Sequence, residues 1–368
     1  MLAAAKERLE ETITVCPARE ITAPGAPDLA LGIPHHWWPD PLVNVHATAV
    51  EEETLAWFRE LGFGERSIWI VRTFAPADYA GMPFPHAEPR ELLLLAKYLS
   101  LWLLWDDVDV EGRERTFPFR GPAVLEPSAS GVTTLFGATW SALLRELAET
   151  MSPAWMETLC EAMDTWSTAA LKEARTSKQR RAGLTHITYE EALRSRIDTI
   201  GMAATGYLLE YARGVELPAD FHAHETVDAL KTLSGKIVGL GNEIWSLGKD
   251  WASGYVNVIL ALREEHGLTM MEAVRRVIRE HDEAIAEYDR LARSLPSFGA
   301  AWDAHIATWV DDLRHACLGF TLWESRAPRY AAFKMLVNGT PIDPSFIVPT
   351  SLAPRAAAAT ATAFAPHA

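Results

Sequence analysis

The chain's 368 residues include 34 Lys and Arg against 49 Asp and Glu, a formal net charge of −15, and 49% are hydrophobic, with 14 Trp. That balance argues against nucleic acid or an anionic membrane as a partner and makes any functional cation a local feature. The length fits about two average domains, but no linker divides the chain, and the apolar content suffices for one large interior.

In chain order, residues 1–33 read as an N-terminal strap, partly disordered, whose Pro-rich part continues to 41 before an amphipathic helix over 48–61. Apolar recurrence then predicts helices over 90–109, 134–149, 153–174, 189–213, 219–237, 239–265, 269–294 and 300–323. Strand signals are scarce, and no repeat of about 20–50 residues suggests a solenoid. Residues 112–131 read as a Gly, Pro and Ser-rich loop, and 176–188, with Lys178, Arg180 and Arg181, as a basic one. The expected organisation is all-α, with one helical domain over 34–335 and a C-terminal segment, 336–368, ending in a low-complexity Ala/Thr tail. No signal peptide or membrane span is expected, since no run approaches about 18 uncharged apolar residues. Cys16, Cys160 and Cys317 form no CxxC or zinc pattern, which points to reduced thiols in a cytoplasmic protein.

Two clusters of hard oxygen donors stand out. The apolar run from Leu92 to Trp105 carries Asp106-Asp107-Val108-Asp109-Val110-Glu111 to the rim of a hydrophobic interior. Asp106 and Asp109 are three apart and can face together, while Glu111 falls where the helix runs out before Gly112. Farther on, Asn242, Ser246 and Asp250 recur at i, i+4 and i+8, which stacks an amide oxygen, a hydroxyl and a carboxylate in a column. Acidic runs are commonly solvated helix ends, but Asn and Ser are poor helix-interior residues with no packing reason to recur. Mg²⁺ takes octahedral oxygen coordination and binds through a few protein oxygens plus substrate phosphate, so neither cluster alone encloses an ion and the two together can hold magnesium against a diphosphate.

With these motifs in this order, the chain resembles the bacterial class I terpene synthases, which carry an aspartate-rich motif on one helix and an Asn/Ser/Glu-type triad on a facing one. The resemblance covers roughly 34–330. Here the triad reads NEIWSLGKD, with Asp250 where the family more often has Glu. The resemblance implies a helical barrel around a deep apolar cavity and Mg²⁺ as cofactor, three ions in number, held by Asp106, Asp107, Asp109, Glu111, Asn242, Ser246 and Asp250. It also implies diphosphate contacts from Lys249, Arg329, Tyr330 and an upstream sensor arginine, for which Arg196 is the best match and Arg194 the rival. Thr199 and Gly201 match the segment where the family breaks its helix toward the substrate, although an ordinary tolerated glycine reads the same way. A homodimer is implied by resemblance only.

An allylic diphosphate needs hydrocarbon walls at one end and positive charge at the other. Aromatic faces can stabilise the cation left by ionisation, by about 0.5–2 kcal/mol each. Trp102, one turn before Asp106, and Trp323, ahead of the Arg-Tyr pair, are candidates, as is Trp245 beside the triad, though core packing is the commoner role of such residues. His35-His36 in the strap reads as exposed, and Asp311-Asp312 lacks the further Asp of a second aspartate-rich motif, which counts against chain elongation. No GxSxG elbow, Walker loop or dinucleotide fingerprint is present. The leading expectation is a terpene cyclase acting on an acyclic prenyl diphosphate, farnesyl diphosphate first and geranylgeranyl diphosphate next, with release by deprotonation or water capture. A chain-elongating prenyltransferase and a non-catalytic prenyl-diphosphate-binding protein stand as alternatives.

Overall fold

A computed structural model describes residues 11–17, 29–120, 125 and 134–346. The tail beyond 346, the first ten residues and most of the 121–133 stretch lie outside the described residues.

Helix α1 is Ala47–Glu60, α2 Glu65–Thr73, α3 Pro76–Gly81 and α4 Pro89–Trp105. Pro89 starts α4 at the position where its missing N–H costs nothing, and Leu92, Leu95, Ala96, Tyr98, Leu99, Trp102 and Trp105 are all buried. A helix apolar on nearly every side belongs in the centre of a bundle. After it come a π-helical turn, Asp106–Val110, and a last helical turn, Glu111–Arg113.

Next are α5 (Leu135–Leu147), α6 (Pro153–Arg181), α7 (Tyr189–Thr199), α8 (Met202–Arg213) and α9 (Glu225–Trp245). They are followed by α10 (Leu247–Ser253), α11 (Val258–His266), α12 (Met270–Ala292), α13 (Asp303–Arg326) and α14 (Pro328–Ala331). Thr188 with Glu191 and Thr269 with Glu272 close reciprocal caps on α7 and α12, each cap residue contributing about 0.5–2 kcal/mol. Helix α9 packs against α7, α8, α12 and α13, so a run of it, Val238 to Ile244, is buried throughout.

Three expectations change. The predicted loop over 176–188 begins later, because α6 continues to Arg181. Lys178, Arg180 and Arg181 are good helix formers that favour the negative end of the helix dipole, and buried Ser177 accepts the Val256 N–H at 3.1 Å. The predicted helix over 189–213 is two helices, broken at Ile200-Gly201. The boundary near 238 is absent and the break falls at Ser246, where the N–H of Ser246 still reaches Asn242 O at 2.7 Å and that of Asp250 reaches Ser246 O at 2.9 Å.

The strands were not legible in the sequence. Strand β1 (Ile13–Pro17) pairs antiparallel with β3 (Phe333–Val337), which also pairs with β4 (Thr340–Pro341). In a separate pair, β2 (Ala30–Leu31) lies parallel to β5 (Ser345–Phe346). Strand β3 follows Arg329-Tyr330 by three residues and packs on α10. A methyl carbon on Gly248 would stand 3.4 Å from Phe333 O and 3.6 Å from the Met335 nitrogen. His35 and His36 are exposed as expected, whereas Trp37 and Trp38 are buried, and Trp37 Nε1 donates to Asp289 Oδ1 at 3.1 Å, pinning the strap to α12.

Candidate active site

The π turn decides which carboxylates meet. In an α-helix residue i+3 lies about 60° around from i, and i+5 about 140°, whereas one i→i+5 turn brings i+5 back over i. Here the Glu111 N–H bonds Asp106 O, and carboxylate oxygens of Asp106, Asp107 and Glu111 come within 4.8 Å of one another. Asp109, expected beside Asp106, is rotated away by the same turn: its Oδ1 accepts from Arg113 at 2.8 Å and it does not line the cavity. Burial, then the charges of Glu111 and Asp107, pushes the Asp106 carboxyl well above the usual carboxylate range, with Arg329 opposing. Arg329 pairs with Asp107.

The triad occupies the facing wall. Ser246 Oγ donates to Asp250 Oδ2 at 2.5 Å, and Asn257 Nδ2 donates to the same oxygen at 3.1 Å and to Glu243 O at 2.9 Å. Lys249 Nζ is 3.7 Å from Asp250 Oδ1. Burial and Arg329 push its ammonium down, but Asp250 and Glu111 outweigh them and the net shift is upward. One lysine thus senses a carboxylate from each cluster. Asn242 Nδ2 donates to Glu324 Oε1 at 2.9 Å and to Tyr330 Oη at 3.3 Å. Burial raises Glu324 to about 8, with the Asn242 bond opposing.

Of the two candidate sensors, Arg194 is exposed and pairs with Glu190 one turn away, while Arg196 lines the cavity. Arg196 pairs with buried Glu243 and lies 3.6 Å from Glu173. Burial lifts Glu243 to about 7, with Arg196 holding it back. Thr199 donates to Glu173 at 3.2 Å, and its carbonyl, left over at the end of α7, accepts from Trp166 Nε1 at 2.7 Å.

Asp106 and Glu111, Asn242, Ser246, Lys249 and Asp250, and Glu173, Arg196, Thr199, Glu324, Arg329 and Tyr330 line one cavity, whose open space is about 880 Å³ with the solvent at its mouth included; Asp107 stands behind it, paired with Arg329. Part of the cavity wall is aromatic. Trp102 meets Tyr98 and Trp166 edge-on, at 5.8 and 5.1 Å between centroids. Trp323 stacks on Tyr79 at 3.8 Å and meets Tyr330 edge-on at 5.5 Å. Trp245 is not among the lining residues. Sequence reasoning missed Tyr79, Trp166, Glu173, Tyr255, Phe320 and Glu324, all of which line the cavity. Buried acids such as Glu173 and Glu324 give no local signal, because a lone Glu is usually on a solvated helix face.

Crowded hard oxygen donors with a raised carboxyl form a set short of positive charge, which suits a divalent cation of the magnesium type. Asp106, Asp107 and Glu111 on one side, and Asn242 Oδ1, Ser246 and Asp250 on the other, could hold such ions.

The model of the terpene synthase family 2 C-terminal metal-binding domain matches residues 97–287, which contain both clusters. The chain belongs to this family. The terpene synthase is 24% identical over 306 residues to pristinol synthase from Streptomyces pristinaespiralis, covering 78% of this chain and 82% of that one. It is 28% identical over 315 residues to (−)-β-caryophyllene synthase from Saccharothrix espanaensis, covering 79% and 86%. Among solved structures, linalool/nerolidol synthase from Streptomyces clavuligerus superposes with a TM-score of 0.66 at 25% identity, covering 77% of this chain and 97% of that one. No helix among the described residues is long and apolar enough to cross a membrane.

Proposed function

We propose that the protein is a class I terpene cyclase, a carbon–oxygen lyase that ionises an acyclic prenyl diphosphate with Mg²⁺, three ions in number, and closes rings from the resulting cation. The observation that carries this reading is the shared cavity: Asp106 and Glu111 from one oxygen cluster, Asn242, Ser246 and Asp250 from the other, and Arg196, Lys249 and Arg329 line it together with Tyr79, Trp102, Trp166 and Trp323.

Divalent cations bound there would supply positive charge to a departing diphosphate. The chain's own groups do the rest. Arg196, Lys249 and Arg329 donate charge-assisted hydrogen bonds to the diphosphate, and Tyr330 offers a hydroxyl. Trp102, Trp323 and Tyr79 present ring faces or edges to the hydrocarbon and exclude water while the allylic cation rearranges. Deprotonation or water capture ends the sequence.

Farnesyl diphosphate is the favoured substrate. Several relatives bear names that specify farnesyl diphosphate cyclisation, including the caryophyllene synthase, and geranylgeranyl diphosphate is the next candidate. Incubation with geranyl, farnesyl and geranylgeranyl diphosphates and Mg²⁺, followed by gas chromatography of a solvent extract, tests the proposal. New cyclic hydrocarbons or alcohols support it; longer diphosphates would indicate elongation, and unchanged substrates only binding.

A further inference from the structure

We infer that Glu324 is a positioning residue that fixes which end of the Asn242 amide faces the cations, an inference that rests on the reading of Asn242 as a metal ligand. An amide side chain has two N–H donors and one oxygen, and only the oxygen can bind a hard cation. Both donors of Asn242 are taken: Nδ2 bonds Glu324 Oε1 at 2.9 Å and Tyr330 Oη at 3.3 Å. The oxygen is the atom left for the cavity that Asn242 lines.

Tyr330 does not hold the amide one way round by itself, because a phenol hydroxyl donates as readily as it accepts. Glu324 Oε1 accepts from the amide in either protonation state: a carboxylate has only acceptors, and a neutral carboxyl accepts with its carbonyl oxygen while the O–H sits on Oε2. Packing does not account for this carboxyl. Glu324 is 2% exposed, and its Oε2 is buried with no hydrogen-bond partner among the described residues. Leaving a polar atom in that state is costly, and an apolar residue of the same size would fill the space without it. The bond to Asn242 is what the carboxyl contributes. Partners of this kind, which orient a ligand without touching the ion, typically change metal affinity by about 10–100-fold when removed.

The test compares the parent with Glu324→Gln, Glu324→Leu and Asn242→Ala. Mn²⁺ is titrated into each protein in the presence of inorganic diphosphate, bound ion is followed by electron paramagnetic resonance, and unfolding temperature and circular dichroism are recorded alongside. Glu324→Gln keeps an acceptor oxygen in place and is expected to bind Mn²⁺ within about twofold of the parent, whereas Glu324→Leu weakens binding by about tenfold or more. If Glu324→Leu does not fold, Glu324→Met carries the comparison. Parental affinity in a folded Leu or Met variant, with Asn242→Ala weakened, overturns the positioning role alone. Parental affinity in Asn242→Ala overturns the ligand reading beneath it. Loss in Glu324→Gln as large as in Glu324→Leu also overturns the inference, because the acceptor oxygen would then not be what matters.

Discussion

Trp102 lies directly against Gly201: a methyl carbon on Gly201 would stand 2.6 Å from Trp102 Cη2, and Gly201 has φ of +86°. The break between α7 and α8 is therefore built against an aromatic wall of the cavity, in a backbone conformation that L side chains rarely adopt. Gly201→Ala is expected to cost about 1–3 kcal/mol and to push the Trp102 ring out of place. A lower unfolding temperature and an altered product ratio by gas chromatography would agree. A variant with the parental melting curve and product mixture would contradict this account of the wall. Trp102→Ala should likewise shift product proportions more than the rate of diphosphate release.

Asp106→Ala and Asn242→Ala test the two oxygen clusters separately. Each is expected to lower turnover by about 10²–10³-fold, the scale of losing one preorganised charge-stabilising group, with helix content by circular dichroism unchanged. Full activity in either would remove that side chain from the site.

Asp109 separates the geometry of the π turn from that of a plain helix. With Asp109 held by Arg113, Asp109→Asn should leave turnover within about threefold of the parent, while Asp107→Asn and Glu111→Gln should each cost about tenfold or more. Equal losses in all three, measured at saturating Mg²⁺, would favour the unbroken helix.

That contrast also marks how far the sequence carried the site. The column of Asn242, Ser246 and Asp250 was legible because i, i+4 spacing survives even the break at Ser246. Arg329 and Tyr330 were legible through family resemblance. Asp109 was misplaced because nothing in DDVDVE announces an i→i+5 turn. Strand β1 pairs with β3 more than 300 residues away, and such a pairing leaves no periodicity in a segment of five residues. Glu173, Glu243 and Glu324 carry no sequence signal that separates them from solvated helix acids, because their burial exists only in the assembled bundle.

Lys231, on α9, provides a test of burial away from the cavity. Its Nζ lies 3.1 Å from His222 Nδ1 and 4.6 Å from the centroid of the Tyr207 ring. Burial lowers its pKa from an ordinary 10.5 to about 8, with Glu210 and Asp228 opposing. Between those values the unfolded chain binds a proton that the native state lacks, so stability from this group rises with pH across that window; below about 8 both states are protonated and the cost of burying the ammonium is felt in full. The unfolding temperature of the parent relative to Lys231→Met should therefore climb by a few degrees from pH 7.5 to pH 10. A difference that stays flat or falls would show the ammonium to be well solvated.

The most direct test of the central claim is the release of inorganic diphosphate from farnesyl diphosphate, assayed with Mg²⁺, after chelation, and after Mg²⁺ is restored, with the organic extract analysed in parallel. The account predicts diphosphate and a cyclic hydrocarbon or alcohol appearing together with Mg²⁺, both lost on chelation and both recovered on restoring the ion. Intact farnesyl diphosphate in the presence of Mg²⁺, with geranyl and geranylgeranyl diphosphates equally untouched, or release that continues undiminished in the chelator, would contradict it.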